Sequence, residues 1–289
     1  MFGQFVINGL ITGVLYSLLA IGFALVYNTT KIFHVAASAV YVFAAYAFWF
    51  ISNKLGLPVW VGMSLSLILS MLLSLLIEVS VYRPLKSRKS SLNVAMIASI
   101  GVMTIIVNLI AMFFGNETKV ITNEILKVFT AGNIILTTPQ LLQVIVGSIV
   151  IVAFLVFISK SNWGIRLRAV SCDETLYSTL GYNVNNTRVF VFLLSGAFIA
   201  LAGCLTVYDV GLDPHMGMNV LINAMVAMII GGVGRFGTCV AGGLILGLIQ
   251  SLVVFQFASN WQNAITFLVL LIFLFFRPQG IAGYKQRTV

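Results

Sequence analysis

The chain has 289 residues, 60% of them hydrophobic and only 8% charged, with a mean hydropathy of +1.08. A soluble domain carries about 25% charged residues, so this composition excludes one and defines a polytopic integral membrane protein. The formal net charge of +9 is then no nucleic-acid footprint; it is read against the tendency of cytoplasmic loops to collect Lys and Arg.

The amino end, Met1 to Phe5, has no basic segment, and the apolar run behind it is too long for a signal peptide. Apolar segments fall at 5–27, 34–52, 58–80, 92–114, 140–159, 189–208, 219–233, 238–258 and 261–276. A helical crossing needs about 20 residues. Most segments satisfy that; 219–233 and 261–276 are short and predict broken or half-length helices, tolerated where protein or a water-filled cavity covers the free backbone groups. The fold class is therefore all-α, with eight to nine transmembrane helices, some broken or re-entrant.

Orientation follows from the loops. Residues 81–91 hold Arg83, Lys86, Arg88 and Lys89 without an acid, and the polar stretch 160–188 and the tail (Arg277, Lys285, Arg287) are also basic. The alternate loops balance Glu117 and Glu124 against Lys119 and Lys127, or carry Asp209 and Asp213. The basic set, including the carboxyl end, is predicted cytoplasmic. Two counts satisfy this: nine crossings with Met1 outside, or eight with the 28–52 region re-entrant. Trp60 and Trp261 suit interfacial anchoring.

Residues 160–188 form one polar island in an otherwise apolar chain. Ser171-Cys172-Asp173-Glu174 fits a capping box, with the Ser171 hydroxyl and Glu174 carboxylate satisfying each other's amides, and Gly181 supplies a left-handed stop. Between them a short helix places Cys172, Leu176 and Leu180 on one stripe, flanked by Lys160, Arg166, Arg168 and Arg188. Such a helix either touches a cytoplasmic partner or rests on lipid headgroups.

Several chemistries are absent. Gly232-Val233-Gly234-Arg235-Phe236-Gly237 matches the dinucleotide fingerprint, but no acid follows Asp213 and apolar helices flank the glycines, so the match is a decoy. Gly231, Gly232, Gly234 and Gly237 instead suit a helix break and close backbone packing. There is no Gly-Lys pair and hence no phosphate loop. Cys204 and Cys239 sit in apolar runs, with no disulfide or metal spacing. No paired carboxylates or His clusters lie inside a span, as an intramembrane enzyme or proton-coupled carrier would need. Glu78, at the end of its helix one turn from Arg83, reads as a snorkelling or ion-paired residue. The similarity of Gly9-Leu10-Ile11 with Gly13 and Ser17 to Gly243-Leu244-Ile245 with Gly247 and Ser251 is assigned to limited membrane composition.

In order and spacing, further fragments converge. They are Asn8-Gly9-Leu10, Gly13, Tyr16, Ala20 and Gly22; Tyr82-Arg83-Pro84-Leu85 ahead of Ala98-Ser99-Ile100-Gly101-Val102 and Asn108; and Gly164, Arg166, Arg168-Ala169, Glu174 and Leu180-Gly181. Ser195-Gly196-Ala197 and Leu201-Ala202-Gly203 follow, and the carboxyl part adds Pro214, Met216-Gly217, Gly231 to Gly234, Gly237, Gly242-Gly243, Gly247 and Arg277-Pro278-Gln279-Gly280-Ile281. Over essentially its whole length the chain resembles the membrane-spanning permeases of bacterial ABC importers for branched-chain amino acids. It departs where the family shows Asn-Phe-Ala-His-Gly: here the run is His34-Val35-Ala36-Ala37-Ser38. That departure widens the expected substrates to other amino acids, amides or urea.

The resemblance implies a single permease domain, 1–289, in the bacterial cytoplasmic (inner) membrane, with 160–188 as the coupling loop. It implies a second permease subunit (the same chain or a sister), cytoplasmic ATPase subunits and an extracytoplasmic solute-binding protein, in contact with membrane lipid. The chain itself would be no enzyme and would bind no cofactor; ATP-Mg would sit on the partner ATPases. Ser171, Cys172, Glu174, Leu176, Leu180 and Gly181 become ATPase-coupling residues. His34 and Asn108 are candidates for the substrate path, each with a structural alternative as a helix cap or interhelical glue. Asp209, Asp213 and His215 are read as an outer loop, either solvated or facing the binding protein. The alternative class is an ATP-independent channel or facilitator, which needs no docking helix.

Overall fold

The structure is a computed structural model and describes residues 2–121, 128–131, 134–257, 259–277 and 280–281. The helices are α1 (Phe2–Thr30), α2 (Ala37–Trp49), α3 (Val59–Ile77), α4 (Arg83–Ser87), α5 (Leu92–Phe114), α6 (Thr138–Lys160), α7 (Asn162–Cys172), α8 (Glu174–Thr179), α9 (Val184–Val210), α10 (Met216–Gly231), α11 (Thr238–Gln256) and α12 (Gln262–Phe276). Wider π turns, Phe50–Lys54 and Glu78–Tyr82, extend α2 and α3. A two-stranded antiparallel hairpin, β1 (Val128–Ala131) and β2 (Ile134–Thr137), pairs Val128 with Thr137 in a loop the sequence marked only as polar.

Among the described residues six helices are long and apolar enough to cross a membrane. α10 and α12 have 16 and 15 residues, about 24 and 22 Å at 1.5 Å per residue. They are short but continuous, so neither is broken, and each is a shortened crossing rather than a half-length one.

Contacts sort the helix ends into two sets. At the basic end, Lys31 Nζ donates to Ser171 O (3.2 Å), Lys86 pairs with Glu174, Gly234 N donates to Asn28 Oδ1 (3.0 Å) and Ile281 N donates to Ile230 O (2.9 Å). At the other end, Gln4 bonds the backbone of Ile135, Trp49 and Asn53 donate to Val120 O, Lys119 bridges Leu212, and Ser251 donates to Phe5 O. α2 with its π turn joins the two ends, which excludes the re-entrant reading of 28–52. Among the described residues nine helices (α1, α2, α3, α5, α6, α9, α10, α11 and α12) run between the ends, so Phe2 and Ile281 lie on opposite sides.

α1 and α9 form the centre: α1 packs on α11, α9, α10 and α6, and α9 packs on α3 and α2. Small residues set the closest approach. A Cβ on Gly13 would lie 2.9 Å from Leu244 Cα, one on Gly247 would lie 2.5 Å from Gly13 Cα, and one on Gly243 would lie 2.5 Å from Ser17 N. The two similar glycine segments of the sequence thus face each other. Their likeness has a packing cause: in lipid, helix association depends on close contact rather than on hydrophobic driving force.

Candidate functional site

At the basic end the island folds as two helices. α7 starts at Ser161, whose side chain accepts from Trp163 N, and packs on α9 through the Trp163–Phe190 stack at 4.4 Å. It runs through Ser171 and Cys172, so the capping box expected at Ser171 does not form. Asp173 is the cap: its carboxylate accepts from Thr175 N (2.8 Å) and Leu176 N (3.1 Å). The competing acceptor won because Ser171 and Cys172 are already the last turn of the preceding helix. The Thr175 hydroxyl, then the Leu176 and Thr175 amides, hold the Asp173 carboxyl below its usual range. Glu174 pairs instead with Lys86 of α4.

Gly181, at φ +84°, ends this segment, a conformation that costs glycine nothing. Tyr177 is buried and exchanges a hydrogen bond with Thr187 of α9 at 3.0 Å. Leu176 and Leu180 remain 59% and 66% exposed, beside exposed Cys172. α8 is therefore anchored on one side and offers an apolar face on the other.

From α9 the contacts lead inward. Arg188, one residue beyond Thr187, is buried and clamps Glu78 in two bonds, Nε to Oε1 at 2.6 Å and Nη2 to Oε2 at 3.1 Å. Glu78 was expected beside Arg83; its partner lies in another helix. The same π turn carries buried Tyr82, which donates to Ser99 Oγ of α5 (2.7 Å) and meets His34 Nδ1 at 2.8 Å. Ser99 Oγ in turn accepts from Ala36 N at the start of α2 (2.8 Å). His34 is fully buried, and its Nε2 has no hydrogen-bond partner. Asn108 takes no part: it is exposed on α5 and donates to Thr104 O of its own helix at 2.7 Å.

At the opposite end a cavity of about 350 Å³ opens between α1, α2, α6, α9 and α10. Asn8, Thr12, Tyr16, Gln143, Thr206 and Asp209 supply its polar lining, and Ile11, Leu15, Leu19 and Val220 supply its apolar wall. Asp209 belongs to the last turn of α9 rather than to a solvated loop; its carboxylate faces the side chains of Gln143 and Gln140. Deeper in, a hollow of only about 10 Å³ shares Leu19, Tyr41 and Val220 with the cavity and is lined by Phe23, Ala37 and Ile199. The opening thus narrows to an apolar constriction.

Tyr16 is held by a closed polar net: it donates to Gln250 Oε1 (2.7 Å) and accepts from Asn223 Nδ2 (3.1 Å), while Gln250 Nε2 donates to Asn223 Oδ1 (3.1 Å) and Thr266 Oγ1 (2.5 Å). It ties α1, α10, α11 and α12 together. The sequence carries its signal as lone amides, Asn223 and Gln250, inside apolar runs.

The glycine turn lies at the basic end. Gly231 closes α10, Gly232 and Gly234 have φ of +104° and +97°, and Gly237 precedes α11. A Cβ on Gly231 would lie 2.7 Å from Cys239 Cα, and Gly280 packs on Gly232. Pro278 and Gln279, and the tail residues Lys285 and Arg287, lie outside the described residues, as do Glu124 and Lys127. No group of His, Cys, Asp and Glu among the described residues is placed to hold a metal.

An all-α bundle with apolar spans, a polar cavity at one end and an anchored helix at the other is a multi-pass membrane protein of transporter type. The family model described as branched-chain amino acid transport system / permease component matches residues 5–274, and the chain belongs to that family. It is 28% identical to the high-affinity branched-chain amino acid transport system permease protein BraD of Pseudomonas aeruginosa, covering 98% of this chain and 96% of the relative. It is 27% identical to LivH of Escherichia coli K12, a permease protein of the same description, covering 99% and 96%. Among solved structures, PsaBC from Streptococcus pneumoniae in complex with Fab superposes with a TM-score of 0.56 at 16% identity, covering 96% of this chain and 97% of that one. That likeness concerns the fold alone.

Proposed function

We propose that this chain is the membrane-spanning permease subunit of an ATP-driven importer for branched-chain or related amino acids in a bacterial inner membrane. The family and its full-length relatives support this. In this reading a second permease subunit completes the membrane core. ATPase subunits, which carry ATP-Mg, bind at the basic, cytoplasmic end, and an extracytoplasmic binding protein delivers solute to the other.

The observation that carries the coupling role is α8. Its cap, its ion pair to α4 and the Tyr177–Thr187 bond fix it to the bundle, while Leu176 and Leu180 stay exposed in a region otherwise rich in charge. A displacement of α8 is handed to α9 at Thr187, and from Arg188 to the π turn of α3 and on through Tyr82 to α2 and α5. A cavity open at one end and pinched at Leu19 and Tyr41 suits the outward-open member of an alternating pair. Transport then consists of opening the constriction while the outer mouth closes, driven by ATP binding and hydrolysis on the partners.

The test is Leu176→Glu or Leu180→Glu in the complete importer. ATP-dependent uptake is expected to be lost with membrane insertion unchanged. Unaltered ATP-dependent uptake removes α8 as the coupling element, and uptake that continues without any ATPase companion replaces the importer by a facilitator.

A further inference from the structure

We propose that the cavity between α1, α6 and α9 is a binding site, within a single subunit, for the ammonium group of a small solute with an aliphatic body. Its chemistry is set by one buried acceptor without a partner and one carboxylate without a counter-charge. Gln143 is only 1% exposed, and its Nε2 is committed to Leu205 O at 2.9 Å, which leaves Oε1 without a partner. A buried acceptor left in that condition is costly and calls for an explanation; a donor supplied by a ligand is one. The Asp209 carboxylate stands beside it, bonded by the neutral side chains of Gln143, Thr137 and Gln140, and neither ion pair found among the described residues gives it a counter-charge.

The two threonine hydroxyls have already spent their protons. Thr12 donates its proton to Asn8 O (2.9 Å) and Thr206 donates to Ala202 O (2.8 Å), so neither offers a proton to a ligand. Tyr16 is fixed by Gln250 and Asn223 and cannot swing to serve a ligand anion. Asn8 and Gln140 line the cavity with amides that donate as well as accept, so the selection for a cation comes from the one carboxylate and the unpartnered Gln143 oxygen, and an ammonium has three N–H bonds to serve them. The wall of Ile11, Leu15, Leu19 and Val220 takes the aliphatic part. The volume of about 350 Å³ lies at the small end of the ordinary range for ligand pockets, about 300–1,000 Å³. The site itself stands on this geometry; that its occupant is also the transported solute rests on the permease reading above.

The experiment measures equilibrium binding to the purified chain in lipid nanodiscs with three probes of one shape. L-leucine carries both charges, 3-methylbutylamine only the ammonium, and 4-methylpentanoic acid only the carboxylate. Leucine and the amine are expected to bind saturably and compete with each other, and the acid is expected not to bind. Asp209→Asn and Gln143→Leu are each expected to weaken the amine at least tenfold, with thermal melting of the variants checked against the parent. If a variant does not fold, the order of the three probes on the parent protein still decides. Binding of the acid as tight as the amine, or no saturable binding of either amine, refutes the site. Leu176→Glu serves as the control: it is expected to leave binding unchanged, so failure at the cavity is separable from failure of ATP coupling.

Discussion

Glu78 and Arg188 offer the sharpest test of how this bundle is held together. Both side chains are under 5% exposed, and two bonds of 2.6 and 3.1 Å join them across α3 and α9. Replacing Arg188 by Met removes both bonds and leaves a carboxylate in an apolar interior; breaking a buried pair in this way costs about 3–5 kcal/mol. Two hydrogen bonds to charged groups at about 1.5–3 kcal/mol each give a similar sum. Glu78→Met strands the guanidinium and is expected to cost as much. The double replacement strands nothing, and exchanging a buried pair for apolar groups is often neutral, so its cost is expected to fall below that of either single variant. Unfolding of purified protein in mixed micelles, run on all four proteins, measures the coupling. It is expected to exceed 2 kcal/mol, well beyond the about 0.5 kcal/mol within which independent sites add. Additive effects, or singles as mild as the double, would refute the claim that the pair locks α9 to the π turn.

Other predictions concern packing and the docking helix. Gly247→Ala places a methyl against the backbone of Gly13 and Gly9 and is expected to cost about 1–3 kcal/mol, as overpacking does. Gly101→Ala, with nothing within 4 Å, is expected to be neutral or to stabilise by up to about 1 kcal/mol; thermal melting of the two compares them directly. Asp173→Ala removes the cap of α8 and is expected to loosen it locally, read as faster amide exchange at Thr175 and Leu176 with the global melt unchanged. The Asp173 carboxyl sits below its ordinary value of 3.8 in the folded chain. Its capping contribution is therefore complete above pH 3.8 and lost as pH falls through the depressed value. Protection of the same two amides is expected to be flat down to about pH 4 and to fall only below it; loss already at pH 6 would assign the cap elsewhere.

Periodicity was legible where the chain had to satisfy its own backbone. In lipid every peptide group needs a partner inside its own segment, so each apolar run of the sequence became a helix within a few residues of its expected ends. Gly181 was legible for the same local reason, since its left-handed backbone needs no tertiary help. The cap was less so: Ser171 and Asp173 are both good acceptors two residues apart, and the end point of α7 chose between them.

What the sequence could not reveal is which side of each helix faces inward. α1 carries Asn8, Thr12 and Tyr16 on one stripe and the pair Gly9 and Gly13 on another, which mark a polar face and a close-packing face, but nothing in the pattern says that Gly243 and Gly247 meet the second or that Tyr16 meets Gln250 and Asn223. His34 and Asn108 look alike as polar residues in apolar runs, yet one is buried against Tyr82 and the other exposed on α5. Asp209 reads as an outer loop because it sits near a polar stretch, and becomes part of the cavity because α9 continues through it to Val210. Composition and local backbone demands determined the class, the apolar segments and the family resemblance, while the choice between eight and nine crossings waited for the structure. The cavity, the Glu78–Arg188 lock and the partnering of polar groups were decided by tertiary packing, because they join residues on different helices, as far apart as Glu78 and Arg188 or Tyr16 and Gln250, whose mutual facing no single helix encodes.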